Sequence, residues 1–283
     1  MKDTIILFDL DDTLVIEYES AQEAFLNVCR GLADYGIDPS AMSKTVQEKA
    51  RELWHGMPTY EYCLRIGISS WEGLWANFIG EHPKLKELNS LREKYQVTSW
   101  LLALNHFGID SKTLAEEFSD RFHIERRKLH KTFEDTFETL DQLSKSYRLG
   151  LITNGMPDLQ REKIRGSGIG SYFENILISG EVDHARPNKE IFLMAAEYFQ
   201  VSPAAMIMIG DSIGTDIIGS NNAGMQSVWI NRKNKKLTGE TVPTRMIHKL
   251  IELPDLLPDI IRGKTFITES MLFKKSSPSQ PPL

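Results

Sequence analysis

The sequence predicts an α/β fold: a parallel β-sheet with helices on both faces, and an all-helical segment inserted after the first strand. Three observations predict it. From residue 132 onward, short apolar runs alternate with amphipathic stretches of helical length. One further apolar run, within "IILFDLDDTL", stands alone near residue 5. Between the two, residues 17–131 carry helical texture and few strand candidates.

Residues 4–9 read as a buried parallel strand, short and apolar with a β-branched pair. "SAQEAFLNVCRGLADYG" then sets Ala24, Phe25, Val28, Cys29 and Leu32 at helical spacing, with Ser20 and Glu23 as a capping-box pair. "PSAMSKTVQEKARELW" opens on Pro39, which suits the first turn of a helix. Four of the five tryptophans (Trp54, Trp71, Trp75, Trp100) fall in this helical region. Past residue 132 the order is helix "FEDTFETLDQLSKSY", strand "RLGLITN", helix "DLQREKIRGSG" and strand "NILIS". It continues with helix "KEIFLMAAEYFQ", strand "AMIMIGD", helix "DIIGSNNAG" and strand "QSVWIN". The simplest arrangement is a Rossmann-like core made of residues 1–16 and 132–262, with the helical domain 17–131 inserted after strand 1. Residues 263–283 end in the polar, proline-rich "FKKSSPSQPPL" and are expected to be a disordered tail.

Composition narrows the function classes. A chain of 283 residues with a net charge of −6 argues against a dedicated partner of nucleic acid polymers, which demand clustered positive charge. No apolar run approaches the ~20 residues of a membrane span. The start, "MKDTIILFDLDD", lacks the features of a signal peptide. Cys29 and Cys63 have no CxxC spacing and no neighbouring histidine pair, so they are expected to be small buried hydrophobes. A cytoplasmic setting follows as the expectation.

The chemistry is concentrated where strands end. Asp9, Asp11 and Asp12 crowd into four positions, a repulsion that calls for a cation among them. Ligands of open α/β sheets bind beyond the carboxyl ends of the strands. The first strand delivers Asp9 and Asp11 there, and the second delivers Thr153, Asn154 and Gly155. The third leads to Arg186, and the fourth delivers Asp211 and Asp216. Paired carboxylates, a hydroxyl, a loop amide and a cation on one edge suit phosphoryl transfer assisted by Mg²⁺, a hard ion that takes oxygen ligands.

The set "DLDDT", "ITNG", "RP…IF" and "GDSIGTD", in this order, resembles the haloacid dehalogenase (HAD) superfamily over roughly residues 4–232. The helical insertion resembles the branch with an α-helical, C1-type cap. The resemblance implies Asp9 as the nucleophile that forms an aspartyl-phosphate, and Asp11 as the general acid and base. It implies Mg²⁺ held by Asp9, Asp211 and Asp216, with the backbone carbonyl of Asp11. Thr153 and the Asn154 amide would hold a phosphoryl oxygen, and Asp12 would hydrogen-bond within its loop. The family usually carries a lysine before the proline of the third motif, where this chain has Arg186. Arg186 is expected to fill that role; Lys189, three residues later, is the alternative, although it should sit on the first turn of the following helix and point elsewhere.

The implied activity is hydrolysis of a small phosphate monoester. A 2-haloacid dehalogenase is the first alternative, although such enzymes resemble this chain without the second aspartate of DxD. A phosphomutase and a catalytically weak binding or regulatory protein on the same fold are the others. "RPNKEIF" resembles the corresponding stretch of some nucleotidases of this branch, which makes 5′-nucleotidase specificity a further alternative. In the insertion, Tyr60, Trp71 and Trp75 read as core of the cap, or alternatively as groups presented to the cleft. "ERRKLHK", residues 125–131, reads as a solvated charged face, or alternatively as a contact for an anionic substrate.

Overall fold

The computed structural model describes residues 4–237 and 239–263. Among them one six-stranded sheet forms the centre, built from β1 (Ile5–Phe8), β2 (Arg148–Thr153), β3 (Asn175–Ile178), β4 (Met206–Gly210), β5 (Gln226–Ile230) and β6 (Arg245–Ile247). The order is β3-β2-β1-β4-β5-β6, and every pairing is parallel. The α/β, Rossmann-like class is therefore the observed one. β1 and β4 are buried along their whole lengths, which explains their unbroken apolar runs.

Alternation along β1 feeds two separate cores. Ile6 and Phe8 face Leu140 and Leu143 of α7 (Thr136–Ser144) and Leu257 of α12 (Leu253–Ile261). Ile5 and Leu7 face Ile191, Phe192 and Phe199 of α10 (Lys189–Phe199). Each such side chain contributes about 1.5–3 kcal/mol by leaving water. Gly150 in β2 is required by this packing, since a Cβ there would stand 2.7 Å from Leu7 and 2.9 Å from Phe199.

Residues after β1 form α1 (Tyr18–Cys29), α2 (Pro39–His55), α3 (Tyr60–Ile66), α4 (Ser70–Gly73), α5 (Pro83–His106) and α6 (Lys112–Arg127). These helices enclose a third core, in which Phe25 stacks on Phe122 at 4.2 Å between centroids and Trp54 meets Tyr95 at 5.1 Å. Trp75 is fully buried, and Trp71 and Tyr60 pack against the same cluster. The aromatic residues are thus the core of the insertion, not groups offered to a cleft. The remaining helices, α8 (Pro157–Ser167), α9 (Ser179–Val182) and α11 (Ile218–Asn222), lie between the later strands in sequence.

Two expectations need correction. Ser20 and Glu23 do not cap α1: the helix already starts at Tyr18, and Ser20 lies buried inside it. Asp12 takes over that role, its Oδ1 accepting from the backbone N–H groups of Glu17 (3.0 Å) and Tyr18 (3.1 Å). Within "ERRKLHK", Arg126 is not on a solvated face; it is fully buried over the Trp75 ring, 4.6 Å from its centroid. Beyond residue 232, where the sequence carries no specific signal, the chain adds β6 and α12, which close one edge and one face of the sheet. The predicted disordered tail lies outside the described residues, apart from Gly263.

Candidate active site

Register explains how distant motifs meet. Phe8 pairs with Leu151 on one side and with Ile209 on the other, so the chain leaves β1, β2 and β4 at one level. The strand order reverses direction at β1, which makes this edge the switch point where such sheets open a crevice. Asp9, next after β1, donates its backbone N–H to Ile209 at 2.9 Å. Thr13 fastens the neighbouring loops: its hydroxyl donates to Asp9 Oδ2 (2.9 Å) and accepts from the backbone N–H of Asp211 (3.1 Å).

Asp9, Asp211 and Asp216 each bring one carboxylate oxygen to within 4.8 Å of the others. Asp216 comes from the turn after β4, held by the Ser212 backbone N–H at 3.0 Å. Gly210 makes room for it, since a Cβ there would fall on the Asp216 carboxylate. Burial pushes Asp9 up to about 6 and Asp211 up to about 8, and repulsion from Asp216 adds to both; Asp216 is raised too. Arg186 answers part of this charge, with Nη1 2.7 Å from Asp9 Oδ1 and a hydrogen bond to Asp216. With the three carboxylates ionised, the Arg186 guanidinium and Lys235, whose Nζ lies 4.0 Å from Asp211, leave a formal charge of −1. Asp9 Oδ1 also lacks an aligned hydrogen-bond donor. The donor set, all oxygen and net negative, fits a hard divalent cation.

The Asn154 side chain turns to Arg186 rather than outward. Its Oδ1 accepts from the Arg186 backbone N–H (3.0 Å), and its Nδ2 donates to the Arg186 carbonyl (2.9 Å). Thr153 is buried, and its hydroxyl accepts from Gln160 Nε2. Lys189 opens α10 as an exposed residue.

The Asp11 carboxylate stands apart from the three-carboxylate cluster. It accepts from Gln160 Nε2 at 2.8 Å and from Lys163 Nζ at 3.1 and 3.2 Å. Burial pushes Asp11 up to about 7, against the pull of Lys163 and with Glu17 and Glu72 adding to the rise. Sequence reasoning missed Gln160, Lys163 and Glu72. A signal was present: Gln160, Lys163, Ile164 and Ser167 recur at helical spacing on the buried face of α8, where two long polar side chains are out of place. Ser69 and Glu72 likewise spell a capping box, which α4 uses.

The insertion covers this edge. Gly67, with φ of 74°, brings its backbone so close that a Cβ would stand 3.0 Å from Asn154. Ser179 donates to the Ile66 carbonyl and accepts from the Gly155 backbone N–H. A cavity of about 310 Å³ reaches Asp211 from the side of Asp12, Arg232 and Lys235, but Asp9 does not line it.

The model of the haloacid dehalogenase-like hydrolase family matches residues 6–230. A phosphoserine phosphatase of Thermus thermophilus is 30% identical over 249 residues, spanning 88% of this chain and 97% of that protein. An N-acylneuraminate-9-phosphatase of Rattus norvegicus is 31% identical over 262 residues, spanning 90% and 94%. Among solved structures, the HAD-hydrolase YfnB of Bacillus subtilis, bound to magnesium, superposes with a TM-score of 0.60 at 25% identity, covering 90% of this chain and 98% of YfnB.

Proposed function

The chain belongs to the haloacid dehalogenase-like hydrolases, and from that membership we propose that this hydrolase is a Mg²⁺-dependent phosphatase of small organic phosphate monoesters. The observation that carries the reading is the gathering of Asp9, Asp211 and Asp216, with Arg186 paired to Asp9 and Asp216 and Asp11 retained two residues beyond Asp9. The phosphatase relatives support it, as does the magnesium-bound YfnB structure.

Asp9 Oδ1 attacks phosphorus, and the bond to the leaving oxygen breaks as Asp11 gives that oxygen a proton. The aspartyl-phosphate on Asp9 is then cleaved by water, whose proton Asp11 takes back, releasing inorganic phosphate. Arg186 holds the nucleophile and would meet the phosphoryl group. Thr153 and the backbone N–H of Asn154 would hold another phosphoryl oxygen, the Asn154 side chain being committed to Arg186. Mg²⁺ would be held by Asp9, Asp211, Asp216 and the Asp11 carbonyl, and would supply neutralisation of charge on the transferring group. Asp11 argues against a dehalogenase, which needs no acid for a leaving alcohol.

Helices α1 to α6 act as the cap in this reading, and substrate enters when they lift from the strand ends. The interdomain movement described for YfnB agrees with that requirement. The free, buried cysteines Cys29 and Cys63 agree with a cytoplasmic setting. No helix among the described residues is long and apolar enough to cross a membrane.

The test is phosphate release from an aryl phosphate and a panel of metabolite esters, with Mg²⁺ or EDTA, alongside Asp9→Asn. Turnover that needs Mg²⁺ and disappears in the variant is expected. Halide release from a haloacid without Mg²⁺ would overturn the assignment.

A further inference from the structure

Lys163 is a buried cation shared by three carboxylates from three parts of the chain. Its Nζ lies 3.1 Å from Asp11 in the loop after β1, 3.0 Å from Glu17 at the entrance to α1, and 3.3 Å from Glu72 in α4. Asp11 and Glu72 accept hydrogen bonds from it, while Glu17 Oε1 is held by charge alone, without an aligned donor. Lys163 itself belongs to α8 of the sheet domain and is 1% exposed.

The same helix grips the insertion at two further points. Asp158 accepts from the Asn77 backbone N–H at 2.8 Å, and Glu162 pairs with Arg127 of α6 at 3.2 Å. Arg127 in turn donates to the Trp75 carbonyl at 3.0 Å. So α8 is the rail on which the segment from Glu72 to Asn77 is seated. Two of these contacts only join surfaces. The third, Lys163, also holds Asp11, and Gln160 one turn earlier supports the same carboxylate.

Packing alone would not call for this arrangement. An apolar residue of similar volume commonly stabilises a buried position as well as an ion cluster does. A lysine here becomes intelligible if its charge must sit between Asp11 and Glu72. Lifting the insertion withdraws Glu72 and leaves Lys163 free to shift toward Asp11. Seating it restores the three-way division and returns Asp11 to one orientation. We propose that Lys163 is a positioning residue that couples closure of the insertion, through Glu72, to the orientation of the Asp11 carboxylate. This rests on the phosphatase reading above.

The coupling is tested by leaving-group dependence. An activated aryl phosphate leaves without an acid, whereas a simple alkyl phosphate needs a well-placed Asp11. Wild type, Lys163→Met and Glu72→Gln are assayed on both esters with Mg²⁺, with circular dichroism to establish folding. For Lys163→Met, kcat/KM, which covers only the steps up to breaking of the ester bond and not the later hydrolysis on Asp9, is expected to fall about 10²-fold on the alkyl ester and less than about 5-fold on the aryl ester. Glu72→Gln, the milder change, is expected to show the same selectivity at smaller amplitude, and it decides the matter if Lys163→Met does not fold. Equal losses of kcat/KM on both esters in a folded variant would overturn the coupling while leaving the phosphatase assignment intact. A wild type silent on both esters would overturn the assignment itself, and the coupling with it.

Discussion

Arg186 holds two carboxylates with one nitrogen: its Nη1 lies 2.7 Å from Asp9 Oδ1 and also reaches Asp216. One guanidinium thereby joins the ends of β1 and β4, while Asn154 at the end of β2 fixes its backbone from below. A lysine has a single compact charge and no planar fork, so it would not reproduce this bridge. Arg186→Met is expected to lower kcat about 10²–10³-fold, in line with removal of one preorganised donor. Arg186→Lys is expected to lose less, because the charge remains. Steady-state kinetics on an aryl phosphate checks the order, and an Arg186→Lys rate at or below that of the methionine variant would refute it.

The raised carboxylates make stability depend on pH in a definite direction. Asp9, Asp11 and Asp211 sit at about 6, 7 and 8, chiefly because burial penalises their charged forms. The unfolded chain releases the same protons near pH 4. Their stabilising contribution is therefore full below about pH 4 and is lost as pH rises through 6 to 8. Without divalent ions the Tm is expected to fall across that window. Added Mg²⁺ is expected to raise Tm more at pH 8 than at pH 6, since the ion replaces protons. Differential scanning fluorimetry with Mg²⁺ and with EDTA measures both, and a Mg²⁺ gain that shrinks with rising pH would count against the site.

Gly210 keeps the Asp216 carboxylate in place by having no side chain. Gly210→Ala adds one methyl group at the end of a buried strand and is expected to displace Asp216. The expected result is a folded protein whose Tm no longer responds to Mg²⁺. Retained Mg²⁺ stabilisation would show that the cation does not depend on Asp216.

Arg126 and Glu17 form a buried ion pair at the entrance to the insertion, both almost wholly withdrawn from solvent. Lys163 and Arg126 together hold Glu17 below its ordinary value, overcoming the effect of burial. Arg126→Met removes one partner and is expected to cost about 3–5 kcal/mol in urea unfolding, with Lys163 moderating the loss. Changing Arg126 to Met and Glu17 to Gln together is expected to cost less than the sum of the single changes. Additive losses would mean that the two residues are not coupled.

The strand-end motifs were legible because chemistry and topology are both local in the sequence. A short apolar run followed by Asp9 and Asp11 is a strand leading into a polar loop, and four such endings must meet once the sheet is parallel. The roles of Gln160, Lys163 and Glu72 were not legible in the same way. Each is an ordinary polar residue on a helix, and its importance comes from which carboxylate lies across the interface. Arg126 was misread for a related reason: a charged run looks solvated until a tryptophan face and Glu17 bury part of it.

The sequence by itself determined the class of sheet, the insertion after β1 and the carboxylates and cation that gather at the strand ends. It could do so because periodicity and strand-end position are properties of short segments. Only the tertiary structure decided that Arg186 bridges Asp9 and Asp216, that Asn154 serves Arg186, and that Lys163 ties Asp11 to the insertion. Those relations join residues as many as 207 positions apart, as Asp9 and Asp216 are. Their partners are chosen by register and by helix seating, which depend on the whole core folding at once.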